Sequence, residues 1–252
     1  MVPTGFFRVD GWWGDHRAAA RRCGSVAWIG GGPEGGVNDT PPVERAANLR
    51  RAAKRLVRRD FSLIADCELA AADIENRLTL GQTLKALRPY WGSVTHINIA
   101  GEAPGFDHAA GADRVRAKVD ALGLQPRPVG AYFGPADVLN GDARLWAPLD
   151  WVGLEGYTEV PTEPFPGQSV RRKLDAMVEK IGDGHHFIII AQAFTRNNTL
   201  TDPHKILAVN KTAGEAAEAH SADALIAFRW GQPGGIRDLP FLEEWYRARA
   251  GA

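Results

Sequence analysis

Eight short apolar segments recur along the chain, separated by stretches with helical periodicity, and most of them stop at a polar or acidic residue followed by a turn. They run over 6–11, 25–30, 61–68, 94–102, 128–134, 150–157, 186–194 and 224–230, and helices are predicted over 42–59, 77–87, 113–122, 170–180, 203–220 and 239–249. Strands separated by helices pair in parallel through right-handed crossovers and are covered on both faces. The run Phe187-Ile188-Ile189-Ile190-Ala191 fits such a doubly covered strand. Eight units in 252 residues match the ~250 residues typical of a (β/α)8 barrel. The expected class is therefore α/β, a (β/α)8 TIM barrel formed as one domain over residues 1–252. A strand that starts as early as Phe6 also suits a domain excised from a longer chain. The competing arrangement, an open doubly wound sheet, calls for a dinucleotide fingerprint at its switch point. The glycine-dense Gly31-Gly32-Pro33-Glu34-Gly35-Gly36 matches neither that fingerprint nor a Walker motif, and reads as a loop.

Barrels keep their chemistry at the C-terminal ends of their strands. The fourth segment, Val94-Thr95-His96-Ile97-Asn98-Ile99-Ala100-Gly101-Glu102, followed by Ala103-Pro104-Gly105, ends there in an acid and a turn. Strict alternation sends Thr95, Ile97 and Ile99 outward to the helices, and His96, Asn98, Ala100 and Glu102 inward. The same reading places Asp10, Asp66, Glu68, Glu155, Tyr157, Gln192 and Trp230 at strand ends, with Trp12 and Trp13 beside the first. Acids that share one mouth repel when ionised, which raises at least one pKa toward that of a proton donor near neutrality.

Composition narrows the ligand. Thirty basic and thirty acidic residues cancel, so no global field attracts nucleic acid or an anionic membrane. The basic stretch 42–59 spaces its Arg and Lys between Ala, Leu and Val as a solvated helix face does. No apolar run reaches the ~18 residues that span a bilayer, and the N-terminus has no signal-peptide pattern; the expected setting is cytoplasmic, or within a longer protein. Cys23 and Cys67 match no metal-ligand spacing and read as free core thiols. The seven histidines are scattered, and His185-His186 opens the seventh strand, at the wrong end of the barrel for a site; neither metal nor cofactor is expected. Paired carboxylates with aromatic platforms are what cleavage of a glycosidic bond requires, and the chain carries eight tryptophans. An oligosaccharide or polysaccharide is the expected partner.

On these residues the chain resembles the (β/α)8 glycoside hydrolases of the large retaining clan A. Ile97-Asn98-Ile99-Ala100-Gly101-Glu102 is similar to that clan's fourth strand, Asp150-Trp151-Val152-Gly153-Leu154-Glu155-Gly156-Tyr157 to its sixth, and Trp230 falls where the clan places an eighth-strand tryptophan. The resemblance implies Glu102 as general acid/base. Two positions depart from the pattern: Gly101 stands where the clan has Asn, and Gln192 where it has the nucleophilic glutamate. An amide cannot form the glycosyl ester, so Glu155 becomes the expected second carboxylate, with Asp66 or Glu68 as alternatives. Asp10, Trp12, Asp66, Glu68, Asn98, Tyr157, Gln192 and Trp230 are then expected to bind substrate. Two further readings compete: a carbohydrate-binding pseudoenzyme, and a barrel enzyme that holds a phosphorylated ligand through Gly231, Gly234 and Gly235.

Overall fold

The computed structural model describes residues 1–251 except 8–9, 12–13, 16, 31–41, 68, 70–77, 102, 104, 158–164, 194–201, 229–235 and 237–238. Its strands are β1 (Thr4–Phe7), β2 (Asp10–Gly11), β3 (Gly14–Asp15), β4 (Val26–Gly30), β5 (Ser62–Asp66), β6 (Val94–Gly101), β7 (Val129–Phe133), β8 (Trp151–Gly156), β9 (His186–Gln192) and β10 (Ala224–Phe228). Its helices are α1 (Arg17–Arg21), α2 (Pro42–Val57), α3 (Leu80–Leu87), α4 (His108–Ala121), α5 (Pro135–Asn140), α6 (Pro166–Ile181), α7 (Pro203–Ala219) and α8 (Pro240–Gly251). The strands close in the order β1-β10-β9-β8-β7-β6-β5-β4, all parallel, while β2 and β3 form a separate antiparallel ribbon. The fold is a (β/α)8 barrel.

Helix starts follow local chemistry. The Thr79 hydroxyl accepts from the Gln82 amide and the Gln82 side chain accepts from the Thr79 amide, a reciprocal cap that opens α3. The Asp107 carboxylate accepts from the Ala110 amide, so α4 begins five residues earlier than its apolar spacing predicts. Pro135 ends β7 and, with its fixed φ, starts the short α5, which periodicity did not announce. The first barrel strand stops at Phe7 rather than reaching Gly11, because Asp10 and Gly11 pair with Asp15 and Gly14 in the ribbon. Asp10 therefore sits beyond the barrel strand to which the sequence assigned it.

Two apolar layers hold the barrel. Outward residues such as Ala27, Leu63, Ile97, Val129, Val152, Ile189 and Leu225 pack against the helices. Inward, Phe7, Val26, Trp28, Ile64, Trp151, Ile188, Ile190 and Ile226 form a second cluster. Its centre is aromatic: Trp28 stands edge-on to Trp151 at 6.0 Å and to Tyr132 at 5.7 Å. Rings of this size fit only because adjacent strands carry no side chain opposite them. A Cβ on Gly130 would lie 2.2 Å from the Trp151 carbonyl oxygen and 2.3 Å from its indole.

At the N-terminal end of the barrel, Asp223 ties three strands together. One carboxylate oxygen meets His96 Nε2 at 3.1 Å, from the opposite side of the barrel, and the other meets His186 Nδ1 at 3.2 Å. His96 also stands edge-on beneath Trp151 at 5.9 Å. The hydrogen bond from His96 holds the Asp223 carboxyl below the usual carboxylate range, with His186 adding to it against the opposing effect of burial.

Two outcomes are expected. Gly130→Ala, with backbone and indole both in the way, should destabilise the fold by about 1–3 kcal/mol or more, read from urea unfolding. Asp223 should contribute stability that is complete above the ~3.9 of an unfolded aspartate and is lost as pH falls through its lower folded value. Melting temperatures below about pH 4 should therefore fall more steeply for the wild type than for Asp223→Asn.

Candidate functional site at the C-terminal mouth

The inward alternation that fills the barrel ends, at its C-terminal mouth, in polar residues. Asp66 closes β5 and Gln192 closes β9, while Asn98 lies on β6 and Glu155 on β8. Their neighbours Ala65, Ile97, Ile99, Leu154 and Ala191 belong to the outer layer, which turns all four side chains inward. Glu155 is 5% exposed, Gln192 2% and Asn98 0%. Such burial is costly for polar groups and is sustained only where partners compensate it.

The partners are specific. Asp66 and Asn98 are paired in register, and Asn98 Nδ2 donates to Asp66 Oδ1 at 2.8 Å. A carboxylate accepts and the amide nitrogen donates, so this bond turns the Nδ2 side of Asn98 toward Asp66 and its Oδ1 away. Its Oδ1 is buried and accepts no hydrogen bond among the described residues. Gln192 is anchored from behind. Its backbone carbonyl accepts from Asn210 Nδ2 at 2.7 Å, and Asn210 Oδ1 accepts from the Tyr246 hydroxyl at 2.5 Å. Asn210 and Tyr246 are fully buried, so α7 and α8 brace the end of β9 through a closed polar chain.

β6 departs from strict alternation. Its register with β7 slips between Asn98 and Gly101, so that Gly101 rather than Ala100 lies opposite Tyr132, and Ala100 packs in the outer layer with Ile99. This is a bulge next to the mouth, of the kind that bends a strand and redirects the side chains beyond it. The inward placement of Ala100 is corrected by it. A Cβ on Gly101 would lie 1.9 Å from Tyr132 Cζ and 2.2 Å from its hydroxyl oxygen. Any side chain at 101 is excluded while that ring is in place.

Tyr157 follows β8 directly, and its ring lies 6.3 Å from that of Phe228 at the end of β10. The mouth thus gathers Asp66, Asn98, Tyr132, Glu155, Tyr157, Gln192 and Phe228. Glu102, Glu68, Trp12 and Trp230 lie outside the described residues, as do the glycines 231, 234 and 235, and for Asp10 the backbone alone is described. Among the described residues no group of three or more His, Cys, Asp or Glu could hold a metal ion. His185 Nε2 instead meets the Trp146 carbonyl oxygen, and His186 meets Asp223. Both cysteines are buried and free, and burial pushes the Cys23 thiol up to about 11 and Cys67 higher still, which suits inert core thiols.

Residues missed in the sequence are instructive. Tyr132 shares the inward face with Gly130, so alternation alone could have found it; Asn210 and Tyr246 could not be found, because they act through the backbone of another element. His108, the first residue of α4, packs between Phe106 and Phe133 and is 3% exposed. Burial lowers its pKa, against the Phe106 carbonyl and the carboxylates of Asp107 and Asp137.

No family model matches the chain, and no curated protein does. Solved structures do share its fold. An exo-β-1,4-mannosidase from an Opitutaceae bacterium superposes with a TM-score of 0.64 at 9% identity, over 99% of this chain and 60% of that one. An endo-β-mannanase/endo-β-glucanase from Prevotella bryantii gives 0.62 at 12% identity, over 99% and 48%. A broad-specificity endoglucanase from Clostridium longisporum gives 0.60 at 9% identity, over 93% and 84%. Likeness at this identity is a likeness of fold. Among the described residues no helix is long and apolar enough to cross a membrane.

Replacing Asn210 with Ala should leave the Tyr246 hydroxyl and the Gln192 carbonyl buried without their partner. The expected cost is about 1–3 kcal/mol for each group, measured by denaturant unfolding. For His108, the unfolded chain binds its proton first as pH falls below about 6.5, so stability should drop from there through the lower folded value. His108→Phe should flatten that part of the profile.

Proposed function

We propose that this chain is a glycoside hydrolase of the barrel type, acting on an oligosaccharide or polysaccharide with Glu102 as proton donor and Glu155 as the second carboxylate. The observation that carries the reading is Glu155: a carboxylate 5% exposed, turned inward at the mouth of a closed eight-stranded barrel. Asp66, held by Asn98, adds a second acid to the same mouth. The fold neighbours, a mannosidase, a mannanase/glucanase and an endoglucanase, support a saccharide as the ligand class.

In this reading Glu102, protonated, gives its proton to the glycosidic oxygen as the bond to the anomeric carbon breaks. β6 and β8 are separated by one strand, so their backbones stand roughly 10 Å apart from two ~4.8 Å steps. That spacing admits both the ~5 Å separation of a retaining pair and the ~6.5–9.5 Å separation of an inverting one; in the inverting course a water stands between the carboxyl groups. Glu155 takes a proton from that water while its oxygen attacks the anomeric carbon. Asp10, Trp12, Asp66, Glu68, Asn98, Tyr157, Gln192 and Trp230 bind the sugar, and Gln192, an amide, serves as a hydrogen-bonding group and not as a nucleophile. The same amide is what favours the second reading, a binding protein without turnover.

The test is Glu102→Gln and Glu155→Gln on the full chain, assayed with 4-nitrophenyl β-glycosides and by reducing-end release from mannan and soluble glucan. Each substitution should lower kcat on mannan and glucan, whose leaving group is a sugar hydroxyl, by about 10²–10⁴-fold while the melting temperature holds, and NMR of the released sugar reads inversion or retention. Undiminished turnover in Glu102→Gln would sink the assignment. Calorimetric binding of mannopentaose or cellopentaose by the wild type without any released sugar would establish the binding protein instead.

A further inference from the structure

We propose that Tyr132 is a substrate-contacting residue that donates a hydrogen bond to the hydroxyl next to the anomeric carbon; this rests on the reading of Glu102 and Glu155 given above. Three features of the geometry carry it. Tyr132 belongs to β7, the strand between β6 and β8, and so lies between the strand that precedes Glu102 and the strand that bears Glu155. In that reading a sugar that reaches from β6 to β8 passes over β7.

The ring is also aimed. Its Cβ lies where a side chain on Gly153 would be, 2.6 Å from that position, and its hydroxyl end lies over Gly101, 2.2 Å from the Cβ position there. The phenol therefore runs from β8 across to β6 and ends beside the residue before Glu102. The bulge between Asn98 and Gly101 is what brings Gly101 opposite Tyr132. Its flanking residues Ala131 and Phe133 are fully buried, whereas Tyr132 is half-buried, so the ring reaches the open side of the barrel interior.

Finally, the position is fixed before any ligand arrives. Trp28 meets the ring edge-on at 5.7 Å, and no side chain on 101 or 153 competes for its space. A phenol so placed is a preorganised donor of the kind that helps most when charge develops at the reacting centre. Between two carboxylates that flank the anomeric carbon, the neighbouring ring substituent is the 2-hydroxyl, whose hydrogen bonds strengthen in the transition state.

The experiment is a cycle between protein and substrate. Wild type, Tyr132→Phe and Glu102→Gln are assayed on 4-nitrophenyl β-D-glucopyranoside, its β-D-mannopyranoside epimer, and the corresponding 2-deoxy-β-D-arabino-hexopyranoside, with melting temperatures alongside. Tyr132→Phe keeps the ring that fills the barrel. It should lower kcat/KM about 10–100-fold on the better of the two parent glycosides, and leave the 2-deoxy glycoside unchanged. An equal loss on parent and 2-deoxy substrates, or no loss on either while Glu102→Gln is inactive, would overturn the role of Tyr132 and leave the two-carboxylate reading standing. A wild type that neither hydrolyses nor binds any of the three overturns both.

Discussion

Everything at the mouth of this protein depends on how the inside of its barrel is filled. A closed eight-stranded barrel leaves an interior just wide enough for side chains, and it must be packed to crystal-like density to be stable. Here Trp28, Trp151 and Tyr132 meet edge to face, and glycines 130, 153 and 101 give up their side chains to admit them. Large rings on one strand and glycine on the next are two halves of one constraint.

That packing sets the geometry above it. Trp151 forms the lower part of the inner face of β8, and Glu155 stands four residues further on the same face, past Gly153. Tyr132 occupies the space over Gly101, so β6 can bulge without leaving a void. Beneath the rings, Asp223 joins His96 and His186 across the barrel floor. Behind the mouth, Tyr246 and Asn210 hold the Gln192 carbonyl from two helices. The polar residues of the mouth are buried at a cost and ride on a scaffold rigid enough to hold them.

Much of this was legible in the residues. β8 reads correctly to its last inward side chain, since Val152 and Leu154 face out and Gly153 and Glu155 face in. β9 reads correctly as a buried apolar run ended by Gln192. The errors have physical sources. Periodicity carries Asp10 into the first barrel strand because Phe6 to Gly11 looks continuous, yet Gly11 and Gly14 close a ribbon of their own. Strict alternation turns Ala100 inward because it assumes an unbroken pleat, which a single extra residue in β6 violates.

The sequence by itself determined the eightfold alternation of strand and helix, and that Asp66, Glu155 and Gln192 stand at the C-terminal ends of their strands. These follow from local periodicity, which short-range backbone geometry enforces. Only the tertiary structure decided that Tyr132 stands over Gly101, that Asn98 is turned by Asp66, and that Asn210 and Tyr246 brace β9. Each of these joins residues on different elements, through registers and crossings fixed only when the barrel closes around its aromatic core.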